Sequence, residues 1–427
     1  MEESSGRKTV DLVLNNIGQL LTVSGNSSKP VRFPNLDTLG LLKTEDLCVG
    51  VSSAKIVFVG RGSDLNDHFS TTRAMDIDCR GQLVMPGFVD SHTHAIFAGS
   101  REGELSSKLA GMSYLEILKS GGGILKTVRD TRAASNSDLL SQTERRLQRM
   151  TAYGTTTVEV KSGYALSVSG EIRLLELLAE VRADHGYDIV STLLSAHAIP
   201  EEYSGKTETF VSEVVIPSVN VAAERKLAKF CDVFLEEGVF GYRESEGILS
   251  HATRTGLSAK IHADEFSDQH GAELGAKLGV VSADHLGRSS ILGISALAKT
   301  NAVAVLLPGT LFSSFVGTYA KARQYIDLGL PVAIATDLSP NSWIESMQFV
   351  ISLACYGMRI TVEEAITAAT INGAHAISRA GDVGSIEIGK KANILLCNVK
   401  DYKEVPYRIA SNVVDQVIRN GKPLIQN

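Results

Sequence analysis

The chain of 427 residues has few features that would place it in an oxidising compartment or in a membrane. Its five cysteines are scattered, odd in number and without any Cys-x-x-Cys spacing, which excludes a disulfide framework and is typical of free thiols. No apolar run is long enough to span a bilayer, and the first residues lack the apolar segment of a secretory signal. We therefore expect a cytosolic protein that does not enter membranes.

The sequence also lacks an excess of positive charge. It contains 42 Lys and Arg residues against 48 Asp and Glu residues, a formal net charge of -6. A nucleic-acid or anionic-membrane partner would require a basic face, so we expect neither. Hydrophobic residues make up 44% and charged residues 21%, which is ordinary for a globular protein. The length accommodates one large barrel and a smaller domain.

After residue 83 the sequence alternates between apolar strands, which end in polar residues, and amphipathic helices. This is the pattern of a parallel α/β sheet. We predict eight strands, at residues 83–90, 155–160, 188–194, 231–235, 258–262, 280–285, 302–307 and 331–337. The helices are predicted at residues 137–153, 170–185, 224–230, 242–255, 268–278, 291–300 and 318–328. Eight strands with crossover helices over roughly 250 residues predict a closed (β/α)8 TIM barrel. A doubly wound open sheet is the alternative, but no Gly-x-Gly-x-x-Gly follows a first strand to support it.

The two ends of the chain read as β-structure. Short β-branched runs at 10–14 and 56–59, separated by turn-forming residues, predict strands and no helix of useful length before residue 83. Thr361-Val-Glu-Glu predicts a capping box that opens a helix from 362 to 378. Strands are then predicted at residues 385–388, 392–397, 414–419 and 422–425. Because these are too few to fold alone, we expect a small β-sandwich-like domain of residues 1–84 and 384–427, beside a barrel of residues 85–383.

Histidines concentrate where the predicted barrel strands end. Five of the ten stand there: His92, His94, His197, His262 and His285. Residues two apart on an extended strand point to the same face, so His92 and His94 project together. Asp337 ends the eighth strand after an apolar run. An unpaired carboxylate would be out of place in an apolar core, so Asp337 is a candidate site residue. Catalytic residues of barrels lie at these strand ends, and three histidines with one aspartate suit a divalent ion with an open position for water.

Several segments of the chain resemble a known family. The first predicted barrel strand reads Pro86-Gly-Phe-Val-Asp-Ser-His92-Thr-His94. The other segments are Lys161-Ser-Gly-Tyr164, Ala196-His197-Ala-Ile-Pro200, Cys231-Asp-Val-Phe-Leu-Glu-Glu-Gly-Val-Phe240, His262-Ala-Asp-Glu265, Ala283-Asp-His285, Leu307-Pro-Gly-Thr310 and Thr336-Asp337. The first of these is similar to the metal signature of the amidohydrolase superfamily. Together they resemble the imidazolonepropionase family within it, over essentially residues 85–427.

The resemblance implies a metal-dependent hydrolase that opens the ring of 4-imidazolone-5-propanoate in histidine degradation, yielding N-formimidoyl-L-glutamate. It implies one metal ion, zinc or iron, whose ligands are His92, His94, His262 and Asp337. Glu265 is implied as the proton shuttle and His285 as the group that polarises the ring carbonyl. Because the family uses a single ion, we expect Lys161 to be structural or part of a substrate loop, and not a carbamylated bridge between two metals.

The resemblance also implies the substrate contacts. Arg101 is expected to bind the substrate carboxylate, and Tyr164, His197 and Glu265 the remainder of the molecule. Family members typically read Asp-x-Asn-Pro-Gly-Ser after the eighth strand, whereas this chain reads Asp337-Leu-Ser339-Pro-Asn341-Ser342. Ser339 and Asn341 therefore replace an amide and a glycine, and Ser342 is expected to contact the carboxylate. A homodimer is common among such relatives.

Two other functions remain open at this point. A mononuclear deaminase of the cytosine or guanine type shares the metal signature. Arg101, which supplies a cation for an acidic substrate, and the Lys161-Ser-Gly-Tyr164 segment argue against it. A non-catalytic scaffold of the same superfamily would lack metal ligands, and all four are present here. Ammonia release would distinguish a deaminase from a ring-opening hydrolase.

Overall fold

Eight parallel strands follow one another in chain order around the centre of the molecule. The computed structural model describes residues 8–112, 116–117, 121–315 and 317–424. The barrel strands are Phe88–Asp90, Thr155–Lys161, Asp188–Ala196, Phe230–Leu235, Ser258–Ala263, Ser282–His285, Val303–Leu306 and Val332–Ile334. The chain continuing from the first strand meets the chain continuing from the last, where Asp337 N–H donates to the His92 carbonyl at 3.1 Å and His94 N–H to the Leu338 carbonyl at 2.8 Å. The predicted (β/α)8 TIM barrel is confirmed.

The first predicted strand, 83–90, is wrong as a single barrel strand. Leu83–Pro86 pairs antiparallel with Ile394–Cys397 in a separate sheet, and only Phe88–Asp90 pairs with the second barrel strand. The chain passes between the two sheets at Gly87, where a Cβ atom would lie 2.2 Å from Thr156 Oγ1. One apolar run therefore contributes a strand to each of two sheets. Glycine is needed at position 87 because a side chain there would collide with Thr156.

Helices cover the barrel and the segments that follow it. They are Gly62–His68, Glu104–Leu109, Gly123–Ala133, Asn136–Ala152, Val168–His185, Thr207–Phe210, Ile216–Glu224, Tyr242–Arg254, Gly271–Leu278, Ile291–Leu297, Pro308–Ser313, Ala322–Asp327, Met347–Met358, Val362–Ala369, Ile371–Ala376 and Glu404–Tyr407. Three-residue 3-10 turns lie at Asp37–Leu39 and Glu201–Tyr203, and a π-helical turn at Val211–Val215. None of the helices among the described residues is long and apolar enough to cross a membrane.

Several predicted helices need correction. No helix forms at 224–230. The helix in this region is Ile216–Glu224, with Pro217 in its first turn, and the left-handed φ of 53° at Lys226 follows its end. The helix expected at 362–378 starts at the predicted capping box but is interrupted at Thr370, whose φ and ψ are -125° and -95°. Gly123–Ala133 and Met347–Met358 were not predicted, and the short helix Gly62–His68 lies in the region expected to have none of useful length.

Strands from both ends of the chain share one sheet, as predicted. The six-stranded sheet runs in the order Lys422–Leu424, Val414–Arg419, Ile394–Cys397, Leu83–Pro86, Gln19–Leu21 and Leu41–Leu42. A four-stranded sheet of Lys55–Arg61, Leu47–Ser52, Leu12–Asn15 and Met75–Asp78 packs beside it, and Lys8–Thr9 pairs with Phe69–Ser70. A common apolar core joins residues such as Leu14 and Val49 to Ile394 and Ile418. This arrangement confirms the composite β-region.

The C-terminal prediction holds in part. No strand forms at 385–388, since Ser385 bonds locally to Glu387 through its hydroxyl and Ile386 N–H donates to the Thr22 carbonyl. The last predicted strand, 422–425, is observed as Lys422–Leu424, and residue 425 lies outside the described residues. The division into domains at residues 84 and 384 stays a prediction.

Candidate metal centre and substrate pocket

His92 and His94 follow the first barrel strand directly. The backbone between them is fixed by the second strand, because the Thr93 hydroxyl donates to the Glu159 carbonyl at 2.7 Å. Both imidazoles are buried, and their ring centroids lie 5.4 Å apart. The predicted side-by-side projection of the two histidines is therefore observed.

His262 and Asp337 bring the ends of the fifth and eighth strands to the same point. One ring nitrogen of each of His92, His94 and His262 lies within 4.8 Å of the others. Asp337 Oδ1 lies 3.5 Å from His92 Nε2 and 3.4 Å from His94 Nε2. Three of the residues expected to bind a metal thus meet at one point, and the fourth, Asp337, lies against two of them.

The chemical state of these groups fits a bound cation. Burial lowers the pKa of His92 and of His94 well below the usual value, so both rings are neutral ligands. His92 Nδ1 lies 2.6 Å from Asp284 Oδ2 and His262 Nδ1 lies 2.9 Å from Asp232 Oδ2. Because these carboxylates face Nδ1, the ring nitrogen left with a free lone pair is Nε2. Within the described chain, Nε2 of His92 and of His262 is buried with no hydrogen-bond partner, a cost that a metal ion would remove.

A layer of paired charges lies beneath this centre. The Lys161 ammonium contacts Glu159 at 2.8 Å and Asp232 at 2.8 Å, with Asp284 at 3.6 Å. Lys260 lies 3.6 Å from Asp284 and donates to the Ser91 carbonyl at 3.0 Å. Burial works against the Lys161 ammonium, but the three carboxylates outweigh it and raise the pKa of Lys161. Lys161 is therefore a structural cation held below the site.

Glu265 and His285 stand beside the imidazole cluster. His285 Nε2 lies 3.6 Å from Glu265 Oε2, and its ring centroid lies 5.2 Å from that of His262. Burial, followed by the nearby Asp337 and Glu236 carboxylates, raises the pKa of Glu265 well above its usual range. Burial also lowers the pKa of His285 well below its usual value. The pair therefore combines a carboxyl group suited to carrying a proton with a neutral imidazole.

An inner cavity of about 50 Å³ opens over these groups. The predicted residues that line it are His94, Arg101, Tyr164, His197, His262, Glu265, His285, Asp337, Ser339 and Asn341. The His94 and His197 rings are stacked, with centroids 4.8 Å apart, and His197 Nδ1 faces the Gly163 carbonyl at 3.0 Å. Ser342 is not among the lining residues: its side chain is fully buried. The structure thus gathers the predicted site residues except Ser342.

Other residues of the site were not predicted. Asp232 and Asp284 orient the imidazoles of His262 and His92, and the Thr310 hydroxyl donates to Asp337 Oδ2. Each stands in a segment that carried the resemblance, and Asp284 directly precedes His285. For Asp232 and Asp284 the signal available in the sequence was a carboxylate inside a barrel strand. Ile124, Phe234 and Phe266 add apolar walls to the inner cavity.

Comparisons with known proteins point to one family. A model described as the amidohydrolase family matches residues 244–424. A relative named imidazolonepropionase from Alkaliphilus metalliredigens is 43% identical over 417 residues, covering 97% of this chain and 98% of its own. Another with that name, from Bacillus velezensis, is 42% identical over 428 residues, covering 98% of each chain.

Solved structures share the fold at much lower identity. An adenosine deaminase from Xanthomonas campestris with bound zinc superposes with a TM-score of 0.70 at 18% identity, covering 98% of this chain and 93% of its own. A guanine deaminase from C. acetobutylicum gives 0.67 at 18% identity, covering 97% and 100%. At such identity the likeness shows the architecture alone.

Proposed function

This chain belongs to the imidazolonepropionase family of the amidohydrolases, and from that premise we propose how its site opens the ring of 4-imidazolone-5-propanoate. The chain is a hydrolase of histidine degradation that acts on a small molecule, and its family implies a divalent metal. The observation that carries the proposal is the convergence of three buried imidazoles and one carboxylate beside a cavity lined by an arginine.

We propose that His92, His94, His262 and Asp337 hold the metal, and that it is zinc or iron, because both accept a set of nitrogen and oxygen ligands. An ion bound there would supply Lewis acidity and would lower the pKa of bound water to about 7. The chain's own contribution is to orient the ligand nitrogens, which Asp284 and Asp232 do through the Nδ1 atoms of His92 and His262. Burial keeps the rings of His92 and His94 neutral.

Glu265 is the proposed proton carrier. Water attacks the ring carbonyl, Glu265 accepts the proton of that water, and it then delivers the proton to the ring nitrogen as the C–N bond breaks. Its raised pKa matches this exchange, because a carboxyl group that is easily reprotonated can act first as base and then as acid. N-formimidoyl-L-glutamate leaves as the product.

His285 is the proposed donor to the oxygen of the ring carbonyl. Its ring lies 5.4 Å from the His92 ring and 3.6 Å, measured from Nε2, from Glu265. A neutral imidazole presents an N–H to the negative charge that develops on this oxygen, which typically contributes about 3 kcal/mol to transition-state stabilisation. We propose that Tyr164 and His197 position the ring and that Arg101 binds the carboxylate, with Ser339 and Asn341 at the edge of the same cavity.

The test is hydrolysis of freshly prepared 4-imidazolone-5-propanoate by the purified, metal-analysed protein. We expect the ultraviolet absorbance of the imidazolone to fall, N-formimidoyl-L-glutamate to accumulate and no ammonia to be released. Release of ammonia from cytosine or guanine, with the imidazolone left intact, would establish the deaminase alternative instead. A protein that carries no metal and turns over none of these substrates would fit the scaffold alternative.

We propose that Ser342, whose buried hydroxyl has no hydrogen-bond partner among the described residues, also contacts the carboxylate once substrate binds. The homodimer and the cytosolic location also stay predictions. Sedimentation of the purified protein tests the first, and cell fractionation tests the second.

A further inference from the structure

Two cavities of the site share lining residues, and we call this shared boundary the passage. Arg101 and Asn341 line both the inner cavity and an outer cavity of about 750 Å³, and Lys108 lines the outer one. The Asn341 side-chain oxygen accepts from Lys108 Nζ at 2.8 Å and faces Arg101 Nη2 at 3.4 Å. Two cationic side chains therefore converge on one neutral oxygen at the entrance to the inner cavity.

The charges at this passage leave one cation uncompensated. Glu104 pairs with Arg101, at 2.9 Å from Nε and 2.8 Å from Nη2, and its other oxygen accepts the Gly123 N–H at 2.7 Å. Within the described residues, no carboxylate forms an ion pair with Lys108. Burial and then Arg101 lower the pKa of Lys108 below its usual value, and Glu104 opposes them without restoring it, as expected when two cations share one nearby carboxylate. A single carboxylate group would balance the passage.

The small volume of the inner cavity directs the side chain of the substrate toward Arg101 and Lys108. The inner cavity of about 50 Å³ is far smaller than the roughly 300–1,000 Å³ of typical ligand pockets. A substrate whose ring reaches the imidazoles must therefore extend its side chain toward the outer cavity. Asn341 donates from Nδ2 to Ser314 Oγ at 3.3 Å, so its side chain can remain attached to the rim when the oxygen is displaced.

We propose that Lys108 is a second cation of the substrate site, and that it binds the propanoate carboxylate together with Arg101 where the Asn341 amide oxygen lies in this structure. The inference rests on the proposed function, because the carboxylate is that of the imidazolone substrate. Lys108 touches no reacting atom, so its contribution is to affinity and to the choice of acidic over neutral imidazole compounds.

The chain contains a single tryptophan, Trp343, which lines the outer cavity and is 44% exposed. Its fluorescence can therefore report binding without turnover. We would titrate 3-(imidazol-4-yl)propanoate and 4-ethylimidazole, which share the ring and differ in the carboxylate, into wild type, Lys108→Met and Lys108→Arg. Lys126→Met is the matched control, since Lys126 lies nearby on another helix and bonds to the Ser100 carbonyl and Asp130.

For Lys108→Met we expect the affinity for the propanoate to fall about 10- to 100-fold, the range of a charge-assisted hydrogen bond. The affinity for 4-ethylimidazole should stay unchanged, which also shows that the variant is folded. Lys108→Arg should restore most of the loss, and Lys126→Met should resemble wild type. The KM for the imidazolone should rise as much as the propanoate affinity falls, with kcat changed less than about threefold.

Unchanged propanoate binding in Lys108→Met, or equal loss for both probes, overturns the inference. The proposed function is judged separately by wild-type turnover. If wild type opens the imidazolone and Lys108→Met has the same KM, only the role of Lys108 fails. If wild type does not open the imidazolone yet binds the propanoate through Lys108, the carboxylate site stands and the proposed function fails.

Discussion

The barrel interior holds two polar layers that differ in what satisfies them. In the lower layer, the Lys161 and Lys260 ammonium groups face Glu159, Asp232 and Asp284, and these side chains have no exposed surface. In the upper layer, the imidazoles of His92 and His262 present Nε2 atoms that lack a hydrogen-bond partner among the described residues. The protein pairs its buried charges where they are structural, and leaves ligand atoms open where an ion completes them.

The formal charges of the two layers support this division. Two lysines face three carboxylates in the lower layer, and Asp337 adds a fourth carboxylate in the upper one. Among these side chains, four carboxylates face two ammonium groups, an excess of two. A divalent ion between Asp337 and the three histidines removes that excess, so the layers are complementary to a dication as a unit.

Breaking the upper layer should have the largest effect. We expect His262→Ala to lose its metal and to lower turnover by at least about 10⁴-fold, because activation of water by the ion is the largest contribution to the rate. Metal analysis together with the imidazolone assay measures both. His251→Ala, which removes a histidine on a helix outside the barrel that hydrogen-bonds to Asn220, is the control. Full activity in a metal-free His262→Ala protein would refute the assignment of the centre.

Glu265 tests whether the upper layer contains residues that act without binding the ion. Glu265→Gln keeps the shape of the side chain and removes its capacity to carry a proton. We therefore expect kcat to fall about 10²- to 10⁴-fold while the metal content stays that of wild type. Glu237→Gln, at an exposed carboxylate in the turn after the barrel strand Phe230–Leu235, serves as control. If the metal is lost together with activity, Glu265 is a ligand and the proposed division of roles is wrong.

Removing a cation from the lower layer should lower the free energy of unfolding. Lys161→Met leaves Glu159, Asp232 and Asp284 close together without their principal cation. We expect the free energy of unfolding to fall by about 3–5 kcal/mol, as for other broken buried ion pairs. Urea denaturation with metal in excess measures this, with the exposed Lys299→Met as control. A loss below about 1 kcal/mol would mean that the layer does not depend on Lys161.

The upper layer could be predicted from the sequence far better than the lower one. His92, His262 and Asp337 stand where apolar strands become polar, so their common edge follows from barrel topology. Asp232 and Lys260 lie within strands. A charged residue there contradicts the apolar pattern, and the sequence does not reveal which residue pairs with it. Their partners come from other strands, as with Lys260 and Ser91, and the pairing exists only after the barrel closes.

Local errors have equally specific causes. The 83–90 run is apolar throughout, so the transfer between sheets at Gly87 has no signal except the Pro86-Gly87 pair. The helix Gly123–Ala133 begins at the end of a glycine triplet, a composition typical of loops, and Gly123 has a φ of 65°. Ser342 was matched by motif, and its side chain is fully buried in this structure, so its role as a carboxylate contact stays a prediction.

A carboxylate outside both layers, Asp188, sharpens the comparison because the cations paired with it are partly exposed to solvent. Asp188 begins the third barrel strand at the end opposite the site, and Arg379 binds both of its oxygens at 3.0 and 3.1 Å. Lys391 adds a contact at 3.3 Å. Burial opposes ionisation of Asp188, but Arg379 and Lys391 outweigh it and lower the pKa of Asp188 below its usual value. Asp188 is thus paired like the lower layer, though with a smaller cost of desolvation.

A carboxylate with a lowered pKa in the folded state stabilises the protein above its unfolded pKa, near 4, and this stabilisation is lost as the pH falls through the folded value. We therefore expect Asp188→Asn to lower the free energy of unfolding by about 1–2 kcal/mol at pH 7, less than Lys161→Met does. Urea denaturation of both proteins from pH 7 down to pH 3 should show this difference shrinking in acid. The exposed Asp184→Asn should match wild type throughout. A difference that stays constant with pH would assign the role of Asp188 to packing, because only the charged pair titrates.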